Sequence, residues 1–98
     1  MIIYSENITA VFAANDFSAM GALASIKEHN LIVPRDISIV GYDDIAFASL
    51  LEVPLTTVRQ PIDAIGQKAT EVINQLVNSE ESIDSKIIIL EPKLIVRK

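Results

Sequence analysis

Two polar pairs mark the places where this chain could do chemistry. Asn15 and Asp16 interrupt "VFAANDFS", and Asp43 and Asp44 close "IVGYDDIA"; each pair ends an apolar run. A carboxylate such as Asp43 accepts two hydroxyl hydrogens, and an amide such as Asn15 donates and accepts at once. Charge-assisted hydrogen bonds of this kind are worth about 1.5–3 kcal/mol. A site built on them suits a polyhydroxylated ligand and rejects analogues that lack a matching hydroxyl. The aromatic ring of Phe17 could cover the apolar face of a sugar or nucleoside. Adjacent acids can also hold Mg²⁺ or work as acid and base. The chain, however, has no phosphate loop, no GxSxG, no cysteine and a single histidine, His29. No catalysis, metal or cofactor is therefore expected.

Each of these residues also has a plainer reading. Asn15 or Asp16 can cap the helix that follows. Asp43 and Asp44 can be a solvated loop pair, and Phe17 can be core or surface. Gly21 reads as a close approach of that helix to a sheet. His29 suits the negative end of a helix dipole.

The elements that position these groups are legible from periodicity. Residues 9–14, "TAVFAA", read as a short buried strand, and a helix follows over 16–29. Asn30 stands where a left-handed helix cap is expected. "VPRD" (33–36) is a turn. "ISIVGY" (37–42) is a nearly continuous apolar run, as in strands covered on both faces. Residues 45–53 suit one or two helical turns, and "LTTVRQ" (55–60) is a β-branched strand. Ile62, Ile65, Ala69, Val72, Ile73 and Leu76 recur at three- and four-residue spacing, giving a helix over 61–78. A polar loop (78–85) precedes strands at 86–91 and 93–97. Strands alternating with helices predict an α/β fold with a parallel sheet. In such sheets ligands bind beyond the carboxyl ends of the strands, which places Asn15 and Asp43 at one crevice.

Composition narrows the possibilities. The 98 residues make one small body, half of them hydrophobic, with a formal charge of −5. Mean hydropathy is +0.38, high for a chain of this size, as though buried surface sought more partner than the chain supplies. The eight bases are scattered, so no basic stripe for nucleic acid is present. No apolar run approaches the ~20 residues of a membrane span. "MIIYSEN" lacks the form of a signal peptide, so a cytoplasmic location is expected.

Five motifs, in order, carry a resemblance: "FAAND", "MGAL", "VPRDISIVGYDD", "PLTTVRQP" and "IG". From Ile8 to Lys98 the sequence resembles the LacI/GalR family of bacterial transcriptional regulators. Members join an N-terminal helix-turn-helix to an effector-binding core of two α/β lobes, similar to periplasmic sugar-binding proteins. The resemblance covers only the C-terminal part of that core. It implies that residues 1–98 are a parallel-sheet lobe, incomplete, of a periplasmic-binding-protein-like fold. It implies effector contacts at Asn15 and Asp43, a third at Gln60 near the hinge, and pocket-lining positions at Phe17 and Ile62. Met20, Leu23, Leu50 and Leu51 fall on segments that join two subunits in dimeric members, although all four could be ordinary core. The implied effector is a sugar or related small metabolite. Operator DNA would be reached only through an N-terminal domain outside this sequence. Two other readings stand beside it: a stand-alone association module, for which the β-prone, uncharged "IIIL" (87–90) is an argument, and a piece of a sugar-binding protein without DNA-regulating activity.

Overall fold

The computed structural model describes residues 7–78 and 87–97. Its elements are β1 (Ala10–Phe12), α1 (Asp16–Glu28), β2 (Ser38–Val40), a 3₁₀ turn (Ala46–Ser49), β3 (Thr57–Arg59), α2 (Ile62–Asn78) and β4 (Lys93–Ile95). They divide into two compact units. One is formed by the chain up to Arg59 together with the segment from Lys93, the other by Gln60–Pro92.

In the first unit β1 and β2 pair in parallel, with Val11 opposite Ile39. The end of β2 and the loop after it meet the chain at and just before β3 through isolated parallel bridges, Val40 to Thr56 and Asp43 to Arg59. The antiparallel pairing of β3 with β4 then sets Arg59 opposite Lys93. α1 crosses between β1 and β2 and buries a stripe of Asp16, Ala19, Ala22 and Ile26, at the three- and four-residue spacing of one helix face. These alanines and Ile26 join Ala13, Ile37, Ile39, Ala48 and Leu55 in a core of mostly small side chains.

Both ends of α1 are closed by local sequence. Asn15 is extended and its Oδ1 accepts from the Ser18 amide at 2.8 Å. At the other end Asn30 takes φ 59°. Its amide donates to the Lys27 carbonyl, and the Leu31 amide to the Ile26 carbonyl. These paired bonds satisfy carbonyls that a helix end leaves orphaned. His29 reaches back to the Ser25 carbonyl at 2.7 Å through Nδ1.

Three expectations need correction. β1 forms, but it is not a buried strand: Ala10 and Phe12 are exposed and Val11 is half-buried. Gly21 is exposed, and a Cβ placed there would meet nothing within 4 Å; the helix approaches the core through Ala19 and Ala22 instead. Residues 87–91 form no strand, and Ile87 and Ile89 are 91% and 84% exposed. A β-prone run becomes a strand only when another strand accepts its backbone bonds. Lys86, residues 79–85 of the polar loop, residues 1–6 of "MIIYSEN" and Lys98 lie outside the described residues.

The second unit centres on α2. Pro61 precedes it, the Ile65 amide donates to the Pro61 carbonyl at 2.9 Å, and Asp63 lies in the first turn. The apolar stripe is present as spaced, yet no residue of this helix is buried.

Candidate functional site

The polar pairs stand at the carboxyl ends of neighbouring parallel strands. Asn15 follows the end of β1 by three residues, and Asp43 follows the end of β2 by three. The Asp16 amide donates to the Tyr42 carbonyl at 2.9 Å, lacing the two loops together. Phe17, 65% exposed, begins α1 at the same end. Gln60 and Ile62 belong to the second unit, where Ile62 opens α2 with its side chain exposed.

The two members of each pair do different work. Asn15 caps α1 with one amide atom, Oδ1. Asp16 is fully buried and serves as a latch. Its Oδ1 accepts from the Thr57 hydroxyl at 2.6 Å, and its Oδ2 from the Ile45 amide at 2.8 Å. A buried carboxylate without such donors would be costly. Gly41 lies against it: a Cβ there would overlap the Asp16 carboxylate and come within 2.9 Å of Leu55.

Asp43 and Asp44 both have positive φ, 118° and 56°, a region that non-glycine residues enter at a cost unless the surroundings hold them. The Asp43 amide donates to the Val58 carbonyl at 2.8 Å. The Asp44 amide lies 3.4 Å from Thr57 Oγ1, and its carboxylate is 7% exposed. Arg59 Nε reaches Asp44 Oδ2 at 2.7 Å, and Arg97 Nη1 reaches Oδ1 at 2.9 Å. Burial pushes the Asp44 carboxyl up, but the hydrogen bonds and charges of Arg97 and Arg59 outweigh it and hold it below the ordinary carboxylate range.

Sequence reasoning did not find this cluster. "VRQ" and "VRK" each end a β-branched segment on an arginine, but only the pairing of β3 with β4 brings the two to one acid. Among the described residues no group of three or more His, Cys, Asp or Glu is placed to hold a metal ion. No described helix is long and apolar enough to cross a membrane.

A second feature of the first unit is an apolar groove of about 420 Å³ between α1 and the segments around 31–33 and 51–53, lined by Met20, Leu23, Leu31, Val33, Leu51 and Val53. Leu23 and Leu51 pack partly on the core. Leu50, next in the chain, is 77% exposed. Three of the four positions singled out for subunit contact therefore share this groove.

The chain matches the profile of the periplasmic binding protein-like domain over residues 3–98. It is 41% identical over 90 residues to the HTH-type transcriptional repressor PurR of Pasteurella multocida, covering 92% of this chain and 27% of that protein. The chain thus spans little more than a quarter of that relative's length. Among solved structures, the transcriptional regulator CelR in complex with cellobiose superposes with a TM-score of 0.86 at 33% identity, covering 93% of this chain and 28% of that one. A LacI family regulator from Lactobacillus casei with bound sucrose gives 0.76 at 34% identity, covering 90% and 32%.

Proposed function

Because the chain belongs to the periplasmic binding protein-like family, among the LacI-type transcriptional regulators, we propose that it forms the effector-binding and dimerisation region of such a regulator. The observation that carries the reading is the placement of Asn15 and Asp43 at the carboxyl ends of adjacent parallel strands, where open α/β sheets take their ligands. The effector is a sugar or related small metabolite, in keeping with the cellobiose and sucrose held by similar proteins. Asp43 accepts its hydroxyls, the amide nitrogen of Asn15 donates beside its capping oxygen, and Phe17 covers an apolar face. Gln60 and Ile62 are the further ligand positions that the family resemblance implies. Met20, Leu23, Leu50 and Leu51 join two copies. The whole regulator works in the cytoplasm and meets operator DNA through an N-terminal domain. Effector binding acts by shifting a two-state equilibrium that both sites bias.

The association-module reading draws on one observation: Ile62, Ile65, Ile73, Leu76 and Val77 of α2 are all exposed. It predicts self-association with no response to small molecules.

The test is calorimetric titration of the natural chain that contains these residues with ribose, sucrose, cellobiose and a set of nucleosides. One of them is expected to bind and to change operator retention. Asp43→Asn suits the test better than alanine, because asparagine tolerates positive φ. Losing about 1.5–3 kcal/mol of charge-assisted bonding weakens binding roughly ten- to hundredfold, with Tm almost unchanged. No binding across the set, or full affinity in Asp43→Asn, overturns the proposal.

A further inference from the structure

The chain leaves the first unit after Arg59 and returns to it at Lys93, and these two residues are direct register partners in the β3–β4 pair. Both covalent connections to the second unit therefore issue from the same end of one antiparallel ribbon. The Asp44 carboxylate holds both sides of that ribbon, Arg59 at the end of β3 and Arg97 just beyond β4. Arg97 is fixed in turn: Nη1 also donates to the Leu55 carbonyl at 2.9 Å, and its backbone amide donates to Thr56 Oγ1 at 2.9 Å. Asp43, one residue before Asp44, is bonded through its own amide to Val58 on the same ribbon. A loop held at positive φ over two residues has no conformational preference of its own for that state. Here the ribbon supplies the restraint.

We propose that Asp44, Arg59 and Arg97 are positioning residues that couple the ligand-facing Asp43 to the two connections between the units. The proposal rests on the reading of Asp43 as an effector contact. Asp44 itself faces two arginines and is spent on them, so it is no ligand group. A shift of the ribbon moves Asp43, and a ligand that fixes Asp43 biases the ribbon, as linkage between sites requires.

The experiment measures amide hydrogen exchange in the natural full-length chain and in Arg97→Gln, Arg97→Lys and Asp44→Asn. Exchange reports local opening segment by segment and needs no ligand. In Arg97→Gln, exchange at Asp43 and across 93–97 is expected to rise together by roughly tenfold or more, the loss of the guanidinium's charge-assisted bonds to Asp44 and the Leu55 carbonyl, while the buried stripe of α1 keeps its protection. Both side-chain bonds of Arg97 leave from one nitrogen, so the lysine ammonium of Arg97→Lys restores the pattern. Should Arg97→Gln fail to fold, Asp44→Asn, which keeps shape and tolerance of positive φ, is expected to give the same paired rise. Unchanged exchange at Asp43, or an equal rise throughout α1, overturns the coupling. A parallel titration with ribose, sucrose and cellobiose separates the two ideas. Binding weakened in Asp43→Asn and in Arg97→Gln alike supports the coupling. Binding weakened only in Asp43→Asn overturns the coupling and leaves the effector reading standing. A wild type that binds none of the three counts against the sugar reading, and exchange alone then decides the wiring.

Discussion

Neighbouring residues of one polar pair have separate tasks, and distance explains the division. Asp16 is turned into the core, where Thr57 and Ile45 occupy both carboxylate oxygens. Asn15 spends one oxygen on the helix cap. Gly41 is the residue that makes room for this arrangement, for want of a Cβ rather than for backbone freedom. Gly41→Ala forces the new methyl group against the Asp16 carboxylate and Leu55. Neither neighbour can give way without breaking a buried hydrogen bond or repacking the core. Overpacking of this kind costs roughly 1–3 kcal/mol. We expect a Tm several degrees lower by circular dichroism; an unchanged Tm would show that Asp16 can move freely. The identity of Asn15, Asp16, Asp43 and Asp44 as the polar ends of apolar runs was legible in the sequence. Which member of each pair faces inward was not, because that depends on groups 29 and 41 residues away along the chain.

At the scale of elements, α1 and α2 show two fates of a helical pattern. The ends of α1 were written locally: an asparagine cap before it and a left-handed Asn30 after it. Its inner stripe is buried and its outer face, with Met20 and Leu23, opens on the apolar groove. The groove and the exposed Leu50 suit the proposed subunit contact. Leu50 is the cleanest position for a test, since it contributes nothing to the core. Leu50→Glu would bury an unpaired charge on association, so a dimer in sedimentation analysis is expected to weaken to a monomer with Tm unaffected. A dimer of unaltered stability would place the contact elsewhere. The strand expected over 86–91 failed to form in its described part for the complementary reason. β-branched composition states a preference, and pairing must supply the hydrogen bonds.

For the whole molecule, the core is small and polar ties carry part of the load. The largest fully buried side chains include Thr57 and Asp16 beside Ile26 and Leu55. Stability should therefore depend on charge state. Asp44 titrates below the ordinary range in the folded chain because the bonds from Arg97 and Arg59 overcome its burial. Asp36 is shifted the same way by its hydrogen bonds from Arg35 and the Ile32 amide. A depressed folded pKa means that the unfolded chain binds the proton more readily. The stabilisation is complete above the unfolded carboxylate value and is lost as pH falls through the folded one. Thermal unfolding followed from neutral pH downward should show Tm falling below about pH 4. Asp44→Asn should start lower at neutral pH and fall less steeply. Parallel curves for the two proteins would mean that Asp44 does not supply the acid sensitivity.

The sequence by itself determined what is short-range: the two helices and the strands other than the one expected over 86–91, both caps of α1, the turn at 33–36, and the family, carried by ordered motifs along the chain. It also placed Asn15 and Asp43 at strand ends, since each directly follows an apolar run. Tertiary structure alone decided the antiparallel return of β4, the burial of Asp16, and the capture of Asp44 by two arginines 15 and 53 residues away. Local preferences are read from neighbours in the chain. These contacts form between segments whose distance in sequence carries no signal, and are fixed only when burial makes an unpaired charge too costly to leave alone.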